Sequence, residues 1–494
     1  MSAVETPSKT GVFPVIGLEV HAQLATRSKI FCACAVTVGA PANSATCPVC
    51  LGFPGALPVL NREAVTLALR LASAVGATIH GESQFARKNY FYPDLPKGYQ
   101  ISQYDRPFST GGVVVIDTTQ GEKSVRLVRA HLEEDAGKLL HDTPYDDVPT
   151  DVSLVDWNRA GVPLVEIVSE PDIRTSEEAA AYLTELRRLL RYIGVCDGDM
   201  EKGSLRCDAN VSVRPTETAP FGTRVEIKNL NSIRFVAKAI EHEIERQGEA
   251  LARGEKIVQE TRLWDEKAGR TVAMRSKEEA HDYRYFPEPD LGLLVVDEAW
   301  IAEAAGGMPE LPRARRARFV DAFGLSLQDA ETLVSSRELA DYFERTAAAA
   351  PPKLAANWVI GEALRWMKER KVSNEQALSF AVSPERLAGL VRLVAAGEVS
   401  AASAKEILAA MLDSPADAAA IVAEKGLGRI RDTGALEGAV AEVIAGNPSQ
   451  VELYRSGKTQ TFGWLVGQVM KKTGGRADPG AVREALTRAL GPDA

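Results

Sequence analysis

The sequence predicts an α+β protein, with a largely antiparallel sheet carrying few helices, followed by an all-helical domain and a small helical tail module. Three observations carry this. Several stretches within residues 1–295 alternate polar and apolar side chains, as strands with one wetted face do. The links between them read mostly as hairpins rather than crossover helices, which favours antiparallel pairing. From about residue 299 Ala, Leu, Glu and Arg dominate and the alternation stops. A chain of 494 residues is too long for one core. The composition shifts divide it into residues 1–295, 296–412 and 413–494, the last boundary near Asp413-Ser-Pro-Ala.

Taken in chain order, Val15-Ile-Gly-Leu-Glu-Val-His21 is the first strand, with Glu19 and His21 two apart on one face. Residues 125–135 begin as a strand and run into His131-Leu-Glu-Glu-Asp135. A helix is predicted over 176–193, with Thr175 and Glu178 as a capping-box pair and Gly194 at its end. The strand from Leu205 to Arg214 is the clearest: Leu205, Cys207, Ala209, Val211 and Val213 face one way, and Arg206, Asp208, Asn210, Ser212 and Arg214 the other. Residues 223–228 repeat the pattern with Arg224, Glu226 and Lys228. A second helix follows Ser232, with Ile233, Val236, Ile240 and Ile244 in helical register. Further on, residues 316–323, 335–348 and 384–396 read as short helices broken by Pro or Gly.

A sheet with one apolar face and one face of charge and amide cannot be buried on both sides. Its polar face looks into water or lines a cleft. Carboxylates beside Arg, Lys and Asn suit Mg²⁺ and a nucleotide phosphate, because oxygen ligands hold the hard cation and cations offset the remaining phosphate charge. An ordinary solvated sheet face is the competing reading for any single such strand. Gly457-Lys-Thr459 is no phosphate loop, because the required Gly at position 452 is Glu. A nucleotide site here is therefore one held by strands and carboxylates.

Four of six cysteines cluster: Cys32-Ala-Cys34, twelve residues, then Cys47-Pro-Val-Cys50. Such spacing in a cytosolic chain reads as a tetrathiolate zinc site. With no open coordination position it is structural and expected to lie away from the chemistry. Cys207 is expected as a buried thiol, and Cys196 carries no assigned role.

The net charge of −9 argues against polyanion binding by the whole surface. A local basic cluster nevertheless runs from Arg455 through Lys458, Lys471 and Lys472 to Arg476. Met1-Ser-Ala-Val-Glu-Thr-Pro7 lacks the charged and apolar regions of a signal peptide, and no apolar run approaches the roughly 20 residues of a membrane span. The expected location is cytoplasmic, with no membrane contact.

These motifs resemble the B-subunit family of the aspartyl/glutamyl-tRNA(Asn/Gln) amidotransferases, the GatB/GatE family. The resemblance rests on Ile16-Gly-Leu-Glu-Val-His-Ala-Gln-Leu24, Cys47-Pro-Val-Cys-Leu-Gly-Phe-Pro-Gly55 and Arg87-Lys-Asn-Tyr-Phe-Tyr-Pro-Asp94. It extends through Leu132-Glu-Glu-Asp-Ala-Gly-Lys138, Asp156-Trp-Asn-Arg-Ala-Gly-Val-Pro-Leu164 and Gly203-Ser-Leu-Arg-Cys-Asp-Ala-Asn210. Glu226-Ile-Lys-Asn-Leu-Asn-Ser232, Tyr283-Arg-Tyr-Phe-Pro-Glu-Pro-Asp290 and Gly463-Trp-Leu-Val-Gly-Gln-Val-Met-Lys471 complete it, so nearly the whole chain is covered.

The resemblance implies a catalytic cradle like that of glutamine synthetase, a helical domain, and a YqeY-like tail that engages tRNA. The implied reaction uses ATP and Mg²⁺ to phosphorylate the side-chain carboxylate of Glu-tRNA(Gln) or Asp-tRNA(Asn). Ammonia from a partner amidase (A) subunit then displaces phosphate, within a heterotrimer completed by a small C subunit. A cognate non-discriminating aminoacyl-tRNA synthetase is a further implied partner. Glu19, His21, Glu133 and Glu134 match the family's Mg²⁺ positions, and Lys88 the ammonia route or substrate pocket. Asp208 and Asn210 are candidates for metal or nucleotide. Arg206, Lys228, Asn229 and Asn231 are candidates for phosphate or substrate, against a reading as solvated surface. The aromatic string Tyr90-Phe-Tyr92 is expected to pack in the core rather than to stack on the tRNA's terminal base.

Two other readings compete. One is a zinc-stabilised RNA-binding scaffold without catalysis, and the other an ATP-dependent ligase acting on a free amino acid. The carboxylate-bearing strands speak against the first, and the basic tail against the second.

Overall fold

The computed structural model describes residues 8–140, 152–274, 283–430 and 433–491, so the N-terminal Met1–Pro7 reading lies outside the described residues. The chain forms two compact units, residues 1–311 and 312–494.

In the first unit the alternating segments are strands of one ten-stranded sheet. The elements that build the site are β1 (Phe13–Gln23), α1 (Arg62–Ala74), β2 (Ala86–Asn89), β3 (Tyr99–Ser102), β4 (Gly121–Glu134), β5 (Pro163–Ser169), α2 (Ser176–Tyr192), β6 (Leu205–Arg214), β7 (Val225–Leu230), α3 (Ile233–Ala252), β8 (Thr261–Asp265), β9 (Arg270–Ala273) and α4 (Glu298–Gly306). The sheet runs in the order β9-β8-β7-β6-β1-β5-β4 and continues through the two-residue strands Ser109–Thr110 and Thr78–Ile79. Every pairing among these is antiparallel except β7 with β8.

Period two does what the composition demands. Leu18, Val20 and Ala22 of β1 and Leu205, Cys207, Ala209, Val211 and Val213 of β6 are buried in one core, with α1, α2 and α3 packed over that face. The helices start where their caps require. Thr175 Oγ1 accepts from Glu178 N–H at 3.1 Å, but the Glu178 carboxylate accepts from Arg174 N–H at 2.7 Å, one residue before the expected box partner. It is drawn there by Lys123, whose ammonium it pairs with at 2.7 Å. Ser232 caps α3 by accepting from Phe235 N–H at 3.2 Å.

The first unit extends past residue 295. Helix α4 sits on α1, where Trp300 donates to Thr66 Oγ1 at 2.9 Å, the Arg62 guanidinium stacks 4.2 Å from the Trp300 ring, and Ala304 is fully buried. An alanine-rich composition signalled helix, not the core that helix joins.

The second unit is helical among the described residues: α5 (Pro312–Phe323), α6 (Leu327–Leu333), α7 (Arg337–Ala347), α8 (Pro352–Trp358), α9 (Leu364–Glu369), α10 (Pro384–Ala395), α11 (Ala401–Asp413), α12 (Ala418–Lys425), α13 (Thr433–Gly446), α14 (Pro448–Arg455), α15 (Gln460–Lys472) and α16 (Pro479–Leu490). Helix α12 packs on α10 and α11, whereas α13 to α16 enclose their own core from Leu436 to Leu490. No helix among the described residues is long and apolar enough to cross a membrane.

Candidate active site

Strand register builds the site. His131 of β4 lies opposite Glu166 of β5, Glu166 opposite His21 of β1, and His21 opposite Arg206 of β6. Directly paired residues project to the same side, so four neighbouring strands deliver an imidazole, a carboxylate, an imidazole and a guanidinium in one row. One step along, Glu19 lies opposite Asp208.

The side chains meet. His21 Nε2 is 3.3 Å from Glu166 Oε2, 3.5 Å from Glu133 Oε1 and 3.8 Å from Glu19 Oε1. His131 Nε2 is 3.4 Å from the same Glu166 oxygen and 3.8 Å from Glu133 Oε2. Burial pulls both imidazoles down, but the hydrogen-bonded and charged Glu166 and Glu133 outweigh it and hold each up at about 9. Burial and the neighbouring Glu166 push the Glu19 carboxyl up, with His21 pulling it partly back. Glu166, pushed up by burial, is drawn well below the carboxylate range by the two histidines.

The cationic side lies next to this. Lys228 Nζ is 3.2 Å from Asp208 Oδ2 and 3.3 Å from Glu226 Oε1. Burial pulls the Lys228 ammonium down and Asp208 with Glu226 more than restore it. Arg206 donates through Nη2 to Asp135 Oδ1 at 2.8 Å, and Gln23 Nε2 donates to the other Asp135 oxygen at 2.9 Å. The buried Arg206 Nε and His131 Nδ1 have no hydrogen-bond partner among the described residues. Lys88 on β2 places its ammonium 4.8 Å from the Tyr283 ring centre. Burial lowers its affinity for the proton, but Glu133 and the Tyr285 and Tyr283 hydroxyls raise it further, for a net upward shift.

Three predicted residues stand apart. Glu134 follows Glu133 in β4 and so faces the other side of the sheet. There it accepts from Ile101 N–H at 2.8 Å and pairs with Lys97. Asn229 takes a positive φ of 66°, which asparagine tolerates, and donates to Trp264 O at 3.1 Å, while Asn231 Nδ2 reaches Asn229 Oδ1 at 3.5 Å. The first of these bonds joins the end of β7 to β8. Asn210 stands on the polar face opposite Gly17 and Glu226.

The expected core packing of Tyr90-Phe-Tyr92 does not hold: Phe91 is 84% and Tyr92 52% exposed. The string leaves β2 into a turn, where Phe91 covers Gly98 instead of entering the core; a Cβ at Gly98 would stand 3.1 Å from its ring.

Sequence reasoning passed over Glu166 and gave His131 and Asp135 no role. The signal for Glu166 was a single carboxylate inside the otherwise apolar Pro163-Leu-Val-Glu-Ile-Val-Ser169. Mid-strand, that residue must have a partner.

The residues fit a divalent cation. Ligand atoms of Glu19, His21 and Glu166 lie within 4.8 Å of one another, as do those of His131, Glu133 and Glu166. The orphaned Arg206 Nε and the Lys228 ammonium fit a phosphate oxygen beside it.

The four thiols also converge, their Sγ atoms all within 4.8 Å, with Cys47 and Cys50 3.9 Å apart. The contact with Cys32, the Cys47 backbone and Lys29 hold the Cys50 thiol down at about 4 against burial, and burial holds Cys34 up at about 11. Cys32, Cys50, Lys97 and Glu134 line one cavity of about 200 Å³.

The sheet thus turns carboxylates and imidazoles that could hold a divalent cation, and cations matched in charge to phosphate oxygens, onto one face. Residues 14–302 match the family described as GatB/GatE catalytic domain, and residues 341–490 the GatB domain. The chain belongs to the GatB family. It is 52% identical over 477 residues to the B subunit of the aspartyl/glutamyl-tRNA(Asn/Gln) amidotransferase of Chlorobaculum tepidum, covering 96% of this chain and 98% of the relative. The B subunits from Geobacter sulfurreducens and Myxococcus xanthus are each 53% identical over 479 residues, covering 96% and 97% of this chain and 98% of each relative.

Proposed function

We propose that the chain is the activating subunit of a tRNA-dependent amidotransferase, an ATP-dependent, glutamine-hydrolysing carbon–nitrogen ligase that works within a complex. It converts the side-chain carboxylate of Glu-tRNA(Gln), Asp-tRNA(Asn) or both to the amide. The observation that supports this most directly is the His131–Glu166–His21–Arg206 row, on a chain similar over nearly its full length to known B subunits.

A carboxylate is a poor acyl donor, since its leaving group would be oxide. One of its oxygens attacks the γ-phosphorus of ATP and ADP leaves. The nitrogen of ammonia then attacks the acyl carbon and inorganic phosphate leaves. Bound Mg²⁺ supplies charge neutralisation and alignment for the transferred phosphoryl group. Glu19, His21, Glu133 and Glu166 would hold that ion, with His131 beside Glu166 and Glu133. The Arg206 guanidinium, anchored on Asp135, and the Lys228 ammonium, aimed by Asp208, receive phosphate oxygens. Lys88, beside Glu133, contacts the acyl substrate. Glu134 supports the sheet from behind rather than holding metal, because its carboxylate is already engaged with Lys97 and Ile101.

Cys32, Cys34, Cys47 and Cys50 hold a structural zinc. The tail from about residue 413 engages tRNA through Arg455, Lys458 and Lys471, which are exposed; Lys472 is paired with Glu442 and Arg476 donates to Gly426 O at 2.7 Å. The partners are an amidase A subunit supplying ammonia and a small C subunit, in a heterotrimer that a non-discriminating synthetase can join. The test is to purify the chain with its partners and measure ammonium-supported amidation of both misacylated tRNAs. Failure to amidate either, with intact partner glutaminase, overturns the reading.

A further inference from the structure

We infer that Lys29 supplies the counter-charge of the metal-loaded four-cysteine cluster and thereby sets how firmly the cluster holds its ion. This rests on the zinc reading above. Lys29 is fully buried. Its Nζ lies 3.5 Å from Cys50 Sγ and 3.4 Å from the Trp157 carbonyl oxygen. Among the described residues it forms no ion pair with a carboxylate, the usual partner of a buried lysine.

The same cavity is lined by a second cation, Lys97. Lys97 and Glu134 pair with each other. Lys29, Cys50 and Glu134 all approach Gly161, where an added Cβ would stand 3.5 Å from Cys50 Cβ, 3.6 Å from Lys29 Cδ and 3.9 Å from Glu134 Oε2. Glu134 is thus within the neighbourhood of Lys29 yet committed to Lys97. The remaining anion is the sulfur cluster. Four thiols that release four protons on taking up a divalent ion carry a net charge of −2, the sum of four thiolates and one dication. That surplus sits beside a desolvated ammonium, and an unpaired buried charge is the costliest arrangement a protein interior can hold. Cys47 N–H donates to the same Cys50 sulfur at 3.2 Å, so two donors converge on one ligand. Partners of this kind around metal ligands typically change affinity by roughly 10–100-fold.

The experiment uses the full chain, loaded with zinc, with release to a chelator followed by a colorimetric indicator. Lys29→Met removes charge and donor at nearly the same volume, Lys29→Gln keeps a donor without charge, and Lys29→Arg keeps the charge. The expected result is zinc release faster by roughly 10-fold or more for Met and Gln alike, with Arg closer to wild type. Circular dichroism of the loaded variants should be unchanged. Should the Met variant fail to fold, the Gln variant gives the same reading. Release from Met or Gln variants within twofold of wild type overturns the inference while leaving the zinc site standing. A wild-type chain that neither carries nor takes up zinc removes the zinc site and the inference together.

Discussion

Glu133 and Glu134 are consecutive in the chain yet serve opposite faces of the sheet: Glu133 Oε1 stands 3.5 Å from His21 Nε2, whereas Glu134 Oε1 accepts from Ile101 N–H at 2.8 Å and pairs with Lys97. Their glutamine variants should therefore separate. Glu133→Gln should lower ammonium-supported amidation by orders of magnitude, with little change in the urea midpoint measured above about pH 9, where the two imidazoles it helps to hold charged are neutral. Glu134→Gln should destabilise the chain by roughly 3–5 kcal/mol, because it strands the buried Lys97 ammonium. Equal stability of the two variants would refute this division.

Glu19 and Glu166 share His21 with Glu133 in the proposed ion site. Replacing either by Gln keeps size and removes one negative charge from the ligand set. Phosphorylation, read as tRNA-dependent ATP cleavage, should fall by at least about 100-fold for each. Partner glutaminase activity should persist if, as proposed, its catalytic groups lie on another chain. Near-wild-type amidation with free ammonium would remove these residues from the metal site.

His21 and His131 carry a pH signature. Each folded-state value is held at about 9, above the ordinary 6.5, by Glu166 and Glu133 acting against burial. A raised value means that the contribution to stability is fully present below about pH 6.5 and is lost as pH rises towards 9. The metal-free chain should therefore lose Tm across that window, and Glu166→Gln should flatten the slope. A Tm constant from pH 6.5 to 9 in the absence of divalent ions would contradict the clustered geometry.

The four-cysteine cluster should contain one zinc per chain by elemental analysis. Cys47→Ser should lose the metal and lower Tm by several degrees. A fully folded, zinc-free preparation with wild-type Tm would show that the thiols are merely neighbours.

Truncation just before α13 should raise KM for misacylated tRNA while leaving kcat largely intact, because it removes the separate core of α13 to α16 and leaves α12 packed on α10 and α11, and phosphate contacts add affinity without chemistry. Reversing Lys458 and Lys471 to Glu should reduce the salt dependence of tRNA binding. Unchanged binding of the truncated chain at physiological salt would place the tRNA site elsewhere.

Local pattern alone determined a good deal of this protein. The period-two alternation of Leu205 to Arg214 predicts β6 to the residue, and Thr175 and Ser232 mark where α2 and α3 begin. Side-chain alternation and end-capping depend on residues a few positions apart, so the chain carries them locally. The four-cysteine spacing was likewise readable before any fold was known.

Partnership between strands was decided only by tertiary structure. Period two assigns a face but not a neighbour, and the neighbour follows from register between segments far apart in sequence, such as His21 with Glu166. That pairing recruited Glu166 from a strand that reads as apolar and gave His131 a role. It also left Arg206 anchored on Asp135 with its buried Nε–H unpartnered among the described residues. The alternation that unites Glu19 with His21 equally forbids Glu133 and Glu134 from sharing a face. The motif Leu132-Glu-Glu-Asp135 reads as one acidic cluster along the chain. A pleated strand, whose neighbouring side chains point to opposite sides, splits it into an ion pair on one face and a candidate ligand on the other.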